Sequence, residues 1–163
     1  MIIGFLSMTK ELRINYEEFS SKEGMNASDR ALVDAAVSAV SRSYSPYSHF
    51  QVGAAVLLED GTVVLGTNQE NAAFPSSLCA ERTALFSAGV GYPDKAVVAI
   101  AIAGGPEGVL TDEPVTPCGS CRQVMSQFQK KSGRPMAIIL VGGKRIWKFD
   151  CVESLLPFVF DSI

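Results

Sequence analysis

Cys79 and Glu81 stand two positions apart in LCAERTALFSAG, residues 78–89, at the front of a segment that reads as a buried helix. A thiol or a carboxylate is costly to bury without a partner, so this pairing asks for compensating chemistry. Cys118 and Cys121 form a CxxC directly after Pro117. At the opening of a helix that spacing turns both sulfurs to one side, near free first-turn amides, and suits a shared metal ion. A redox-active CxxC is the alternative. Thioredoxin-type motifs, however, follow a first strand near the chain start, and Cys79 would then be unexplained. With Cys79 added, three thiolates hold a tetrahedral Zn²⁺ and leave a fourth position open, which distinguishes a catalytic zinc from a structural one. Glu81 beside that position can move protons; the competing reading is a carboxylate interacting with its own helix dipole. Cys151 reads as a small buried hydrophobe, although as a fourth ligand it would close the site. His49, the single histidine, reads as a loop residue.

The elements that must position these groups follow from the apolar spacing. Residues 10–19, KELRINYEEF, alternate Leu12, Ile14 and Tyr16 with polar neighbours and predict a short amphipathic strand. Leu32, Val33, Ala36, Val37 and Val40 recur at helical spacing behind the N-cap candidates Asn26 and Ser28. They predict a first helix of about four turns that exits at Pro46. Residues 50–68 place two β-branched runs around Glu59, Asp60 and Gly61, the pattern of a hairpin. A helix opened by Cys79, the apolar strand AVVAIAIAG, a helix opened by PCGSC, the run MAIILVG and a short strand at RIWKFD complete the order. As in a βαβ unit, one strand separates the two cysteine-bearing helices, so their N-termini can meet at one sheet edge. Long apolar strands alternating with helices require a sheet covered on both faces. The fold class is therefore α/β: a three-layer α/β/α sandwich whose mixed central sheet starts with an antiparallel hairpin.

The 163 residues, 47% hydrophobic and 19% charged, suit a single domain over 1–163 with a core that needs no disulfide. Residues 1–9 read as a frayed or strand-pairing leader, with Met8 as an alternative start. MIIGFLSM lacks a basic n-region and is too short to span a bilayer, so no membrane association is expected. Four cysteines without an export signal point to the cytoplasm and to metal-binding or catalytic thiols. Fourteen basic residues against 17 acidic ones, scattered along the chain, offer no basic face for nucleic acid and favour a small neutral substrate.

CAE at 79–81 with PCGSC at 117–121 resembles the signature of the cytidine deaminases. The resemblance runs from about Tyr44 to Phe160 and is to the small homotetrameric type with three cysteine ligands. It implies Zn²⁺ held by Cys79, Cys118 and Cys121, Glu81 as the proton carrier, and hydrolysis of cytidine and deoxycytidine to uridine and deoxyuridine with release of ammonia. NQEN at 68–71 resembles the ribose-binding segment, which assigns Asn68 and Glu70 to the sugar hydroxyls. Phe50 matches the aromatic that packs on the pyrimidine, and Ala80 offers its backbone to the base carbonyl. Arg82 matches the residue that donates hydrogen bonds to the ligand sulfurs, with Arg122 as a second candidate. Phe160, in LLPFVF, matches an aromatic that reaches a neighbouring subunit's site, which implies sites shared across a homotetramer. On spacing alone Phe50 reads equally as a strand-start core residue, Asn68 and Glu70 as a polar turn, Arg82 as a solvated helix arginine, and Phe160 as part of an apolar C-terminal plug. Phe74 stands where tyrosine is common in the family, and the leader before Thr9 has no counterpart there. Three alternatives stay open: a deaminase of another cytosine compound such as blasticidin S, a polynucleotide-editing deaminase, and a non-catalytic zinc-binding module.

Overall fold

A computed structural model describes residues 8–161. Most of the expected 1–9 leader, residues 1–7, lies outside the described residues; Met8 is exposed. The first strand, β1 (Glu17–Phe19), pairs antiparallel with β6 (Ile146–Phe149). It is shorter than the alternation of Leu12, Ile14 and Tyr16 predicts, because the ladder with β6 runs only from Glu17 to Phe19. Leu12 and Ile14 are exposed, and Tyr16 is held by ring contacts, stacked on Phe149 at 5.2 Å.

Helix α1 (Ala27–Ala39) is capped by Asn26, whose side-chain oxygen accepts from the Asp29 amide at 2.9 Å. Ser28, the other candidate, lies inside the helix. Leu32, Val33 and Ala36 are buried as their spacing predicts, but Val37 points outward and is 37% exposed. The chain tightens into a 3₁₀ turn over Val40–Arg42, so the helix ends well before Pro46.

The hairpin forms as expected from β2 (Phe50–Leu58) and β3 (Val63–Thr67), with Gly61 at φ 87° in the connection. Glycine takes that left-handed conformation without a Cβ clash. Helix α2 (Ala80–Gly91), strand β4 (Val97–Pro106), helix α3 (Gly119–Ser132) and strand β5 (Ala137–Val141) follow. The six strands are ordered β1-β6-β5-β4-β2-β3, and only β4 and β5 run parallel.

Alternation along β4 builds the three layers. Ala99, Ala101 and Ala103 face α1, while Ile100 and Ile102 face α2 and α3. Small residues on one side and large ones on the other set how closely each helix layer approaches. Gly66 on β3 lets α2 approach closely: a Cβ there would lie 2.4 Å from the Ala84 nitrogen and 2.5 Å from the Ala80 oxygen. This bare strand position lets the first turn of α2 rest on the sheet. The β4–α3–β5 crossover then returns the chain so that α3 begins where α2 began, beyond the C-terminal end of β4. Among the described residues no helix is long and apolar enough to cross a membrane.

Candidate active site

Two helix N-termini carry the cysteines. Cys79 is the N-cap residue of α2 and Cys118 that of α3, both with extended backbone and neither sulfur spent on capping its helix. Cys121 sits in the first turn of α3 and is buried. The sulfurs of Cys79 and Cys118 are 4.0 Å apart and those of Cys118 and Cys121 3.4 Å, and all three ligand atoms lie within 4.8 Å of one another. Sulfurs bound tetrahedrally to zinc at about 2.3 Å lie roughly 3.8 Å apart, so the cluster has the dimensions of a zinc site.

The charges of this donor set point the same way. Cys79 is pulled down to about 5 by its hydrogen bond with Cys121 and by Arg82. Cys121 is pushed up by that same Cys79 contact, by burial and by the nearby Glu81. Three thiolates this close repel one another; a divalent cation is the charge that stabilises them together.

Glu81 follows in the first turn of α2 with only 5% exposure. Burial, and then the charge on Cys79, raise its carboxyl above the ordinary 4.5. Arg82 donates from Nη2 to the Cys79 sulfur at 3.8 Å, and its buried Nε has no partner. Arg122 is placed otherwise: its guanidinium donates to the carbonyls of Pro117 at 2.8 Å and Leu155 at 2.9 Å, bracing the start of α3 against the C-terminal segment. Cys151 stands outside the cluster beside the Ser154 hydroxyl at 3.8 Å, which leaves the three-cysteine site without a fourth protein thiolate.

The cluster opens into a cavity of about 470 Å³. Its wall includes Phe50, Asn68, Cys79, Ala80, Glu81 and Cys118, six of the positions expected from sequence. It also includes Ser48, Val52, Ile102, Val115 and Thr116, which sequence reasoning did not single out. Val115 and Thr116 were findable, since they directly precede Pro117 and Cys118; Val52 and Ile102 face inward by strand alternation alone.

Asn68 is partly committed to the scaffold. Its oxygen accepts from the Val52 amide at 2.8 Å and from the Ser43 hydroxyl, and its nitrogen donates to the Phe50 carbonyl at 2.8 Å. The backbone groups fix which way the amide points, and one N–H remains free. Glu70 does not line the wall. Its carboxylate accepts from the amides of Tyr47 at 2.9 Å and Ser48 at 3.1 Å, gripping the turn that does. The Ser48 hydroxyl, those amides and nearby His49 hold Glu70 below the usual carboxylate range. Phe160 does not line its own chain's cavity: it is 68% exposed, with its backbone tied to the Gln123 side chain on α3. Phe74 is exposed and lies 6.0 Å, ring to ring, from Tyr47.

A cysteine-lined metal site with a buried acid beside it, set at the sheet edge of a three-layer α/β/α scaffold, is the class of site these residues define. The family model for the cytidine and deoxycytidylate deaminase zinc-binding region matches residues 26–133. A cytidine deaminase from Halalkalibacterium halodurans is 50% identical over 99 residues, covering 60% of this chain and 69% of that protein. One from Sporosarcina psychrophila is 42% identical over 121 residues, covering 74% and 82%. The crystal structure of cytidine deaminase from Burkholderia pseudomallei superposes with a TM-score of 0.68 at 38% identity, covering 83% of this chain and all of that one. The Mycobacterium tuberculosis enzyme gives 0.65 at 32% identity, covering 83% and 99%. The chain belongs to the cytidine and deoxycytidylate deaminase family, and its three-cysteine cluster fits a zinc site of the kind that family's zinc-binding region describes.

Proposed function

We propose that this protein hydrolyses cytidine and deoxycytidine to uridine and deoxyuridine, releasing ammonia. The observation that carries the reading is the meeting of the Cys79, Cys118 and Cys121 sulfurs with buried Glu81 on the wall of one cavity. Zinc, when bound by those three thiolates, supplies Lewis-acid activation of water at neutral pH. Glu81 takes the proton that the attacking water gives up, passes it to the ring nitrogen next to the reacting carbon, and assists departure of the amino group as ammonia. Its raised proton affinity suits this role, because a carboxyl poised nearer neutrality both accepts and returns a proton. Arg82 stabilises the thiolates by donating to Cys79.

At the other end, Phe50 packs against the base, Ala80 offers its backbone to the base carbonyl, and Asn68 and Glu70 take the sugar hydroxyls. No lysine or arginine is among the lining residues and Glu70 sits close by, which favours a neutral nucleoside over a 5′-phosphorylated one. Exposed Phe158 and Phe160 at the C-terminal end support self-association, read as a homotetramer in which Phe160 completes a neighbour's site. Residues 1–163 acting as a single domain, a cytoplasmic location and a role in pyrimidine salvage belong to the same reading.

The test is ammonia release by the zinc-loaded protein with cytidine, deoxycytidine, deoxycytidylate and blasticidin S in parallel, with Glu81→Gln as control. Turnover of both nucleosides that vanishes in the variant is expected. Preference for deoxycytidylate or blasticidin S would replace the substrate assignment, and turnover surviving in Glu81→Gln would remove the proton-carrier role.

A further inference from the structure

His49 and Glu107 both hold left-handed backbone conformations, at φ 55° and φ 51°. A residue with a Cβ is strained there and persists where its surroundings over-determine it. The two lie against each other. The Glu107 amide donates to the His49 carbonyl at 2.8 Å, and the imidazole Nδ1 lies 3.6 Å from the Glu107 carboxylate. His49 closes a tight turn, its amide donating to the Ser45 carbonyl at 3.0 Å, and the next residue begins β2.

That turn borders two hollows. Ser48 and Phe50 face the main cavity, whereas His49 and Glu107 line a separate hollow of about 260 Å³. With open space on both sides, polar contacts must hold the turn in place. On one side Glu70 accepts from the amides of Tyr47 and Ser48. On the other stand His49 and Glu107, the latter directly after β4, the strand next to β2 in the sheet.

We propose that His49 and Glu107 are positioning residues for the sugar end of the cavity: the strained pair fixes the turn over 45–49, and through it the Glu70 carboxylate and the Phe50 ring, in the arrangement that binds nucleoside. The inference rests on the nucleoside reading above. It assigns the chain's sole histidine a role that touches neither metal nor substrate.

Glycine enters the left-handed region at no steric cost, so His49→Gly and Glu107→Gly relieve the strain while loosening the turn. Both variants are expected to melt at or above the wild-type temperature and to bind zinc fully. KM for cytidine rises about fivefold in each, the scale of one lost contact, with kcat within about twofold. His49→Asn, which tolerates the left-handed conformation, brings KM back to within about twofold of wild type. A purely structural role would instead move melting temperature and activity together. Unchanged KM in the glycine variants, or no rescue by asparagine, overturns the proposal. Absence of ammonia from the wild type removes the nucleoside reading and this inference with it, whereas an active wild type with unmoved KM in the variants removes this inference alone.

Discussion

At the metal end of the cavity the functional groups ride on helix N-termini, with Cys121 and Glu81 buried, Cys79 half-buried and Cys118 exposed; at the opposite end they ride on turns, with Glu70 half-buried and His49 exposed. The two glutamates make the contrast quantitative in direction. Burial and a neighbouring thiolate raise Glu81, while donated hydrogen bonds and a nearby imidazole lower Glu70. One residue type is thus held as a readily protonated group at one end and as a fixed charged acceptor at the other. The difference teaches how each end is made rigid: at the cysteine cluster by burial on helix starts, at the other end by hydrogen bonds that hold a turn.

Breaking the metal end should have the largest effects. Cys121→Ser removes a buried thiolate ligand, so zinc content measured by atomic absorption should fall below stoichiometry, with turnover lost and the melting temperature lowered. Glu81→Gln should keep zinc and lower kcat by about a thousandfold. Its stability should change in the opposite sense. A carboxyl whose folded-state value is raised contributes fully below its ordinary 4.5 and loses that contribution as pH rises through the raised value. Compared in their zinc-free forms, the variant should therefore gain melting temperature over wild type at neutral pH and lose that advantage near pH 4. An equal difference at both pH values would mean that Glu81 is not held above its ordinary range. Gly66→Ala tests the scaffold under the same end. A methyl 2.5 Å from the Ala80 oxygen must push the first turn of α2 off the sheet, so weaker zinc retention in a chelator titration and reduced kcat are expected together.

Legibility in sequence divides along the same line. The cysteines and Glu81 were readable because metal-ligand spacing and helix starts are local signals, and the crossover that joins them follows from strand–helix alternation. Which strands lie beside one another was not readable, for example the antiparallel pairing of β2 with β4 and of β5 with β6, since apolar runs announce burial rather than neighbours. Nor was the short β1, whose alternation of Leu12, Ile14 and Tyr16 continues past the point where β6 offers a partner. At the turn-built end, the family resemblance supplied Asn68 and Glu70, but sequence gave no sign that Asn68 also ties Val52 to Phe50 or that Glu70 grips the backbone of Tyr47 and Ser48. Those roles depend on where a loop lies in space. The left-handed His49 was hidden for the same reason, because no residue pattern marks an imidazole for that conformation.

Variants at the turn-built end sharpen the contrast with smaller effects. Asn68→Ala leaves the Val52 amide and the Phe50 carbonyl without their partner, a cost of about 1–3 kcal/mol, and KM should rise alongside the drop in stability. Glu70→Gln is the subtler probe, because it repeats at the exposed end the change made at Glu81. The amide keeps an oxygen for the Tyr47 and Ser48 amides but loses the charge that strengthens those bonds. The expected result is a KM raised a few-fold, on the order of one charge-assisted contact, with kcat and zinc content unchanged. A fall in kcat comparable to that of Glu81→Gln would instead mean that the turn governs the reacting end, and the division between a rigid chemical end and a solvated binding end would have to be abandoned.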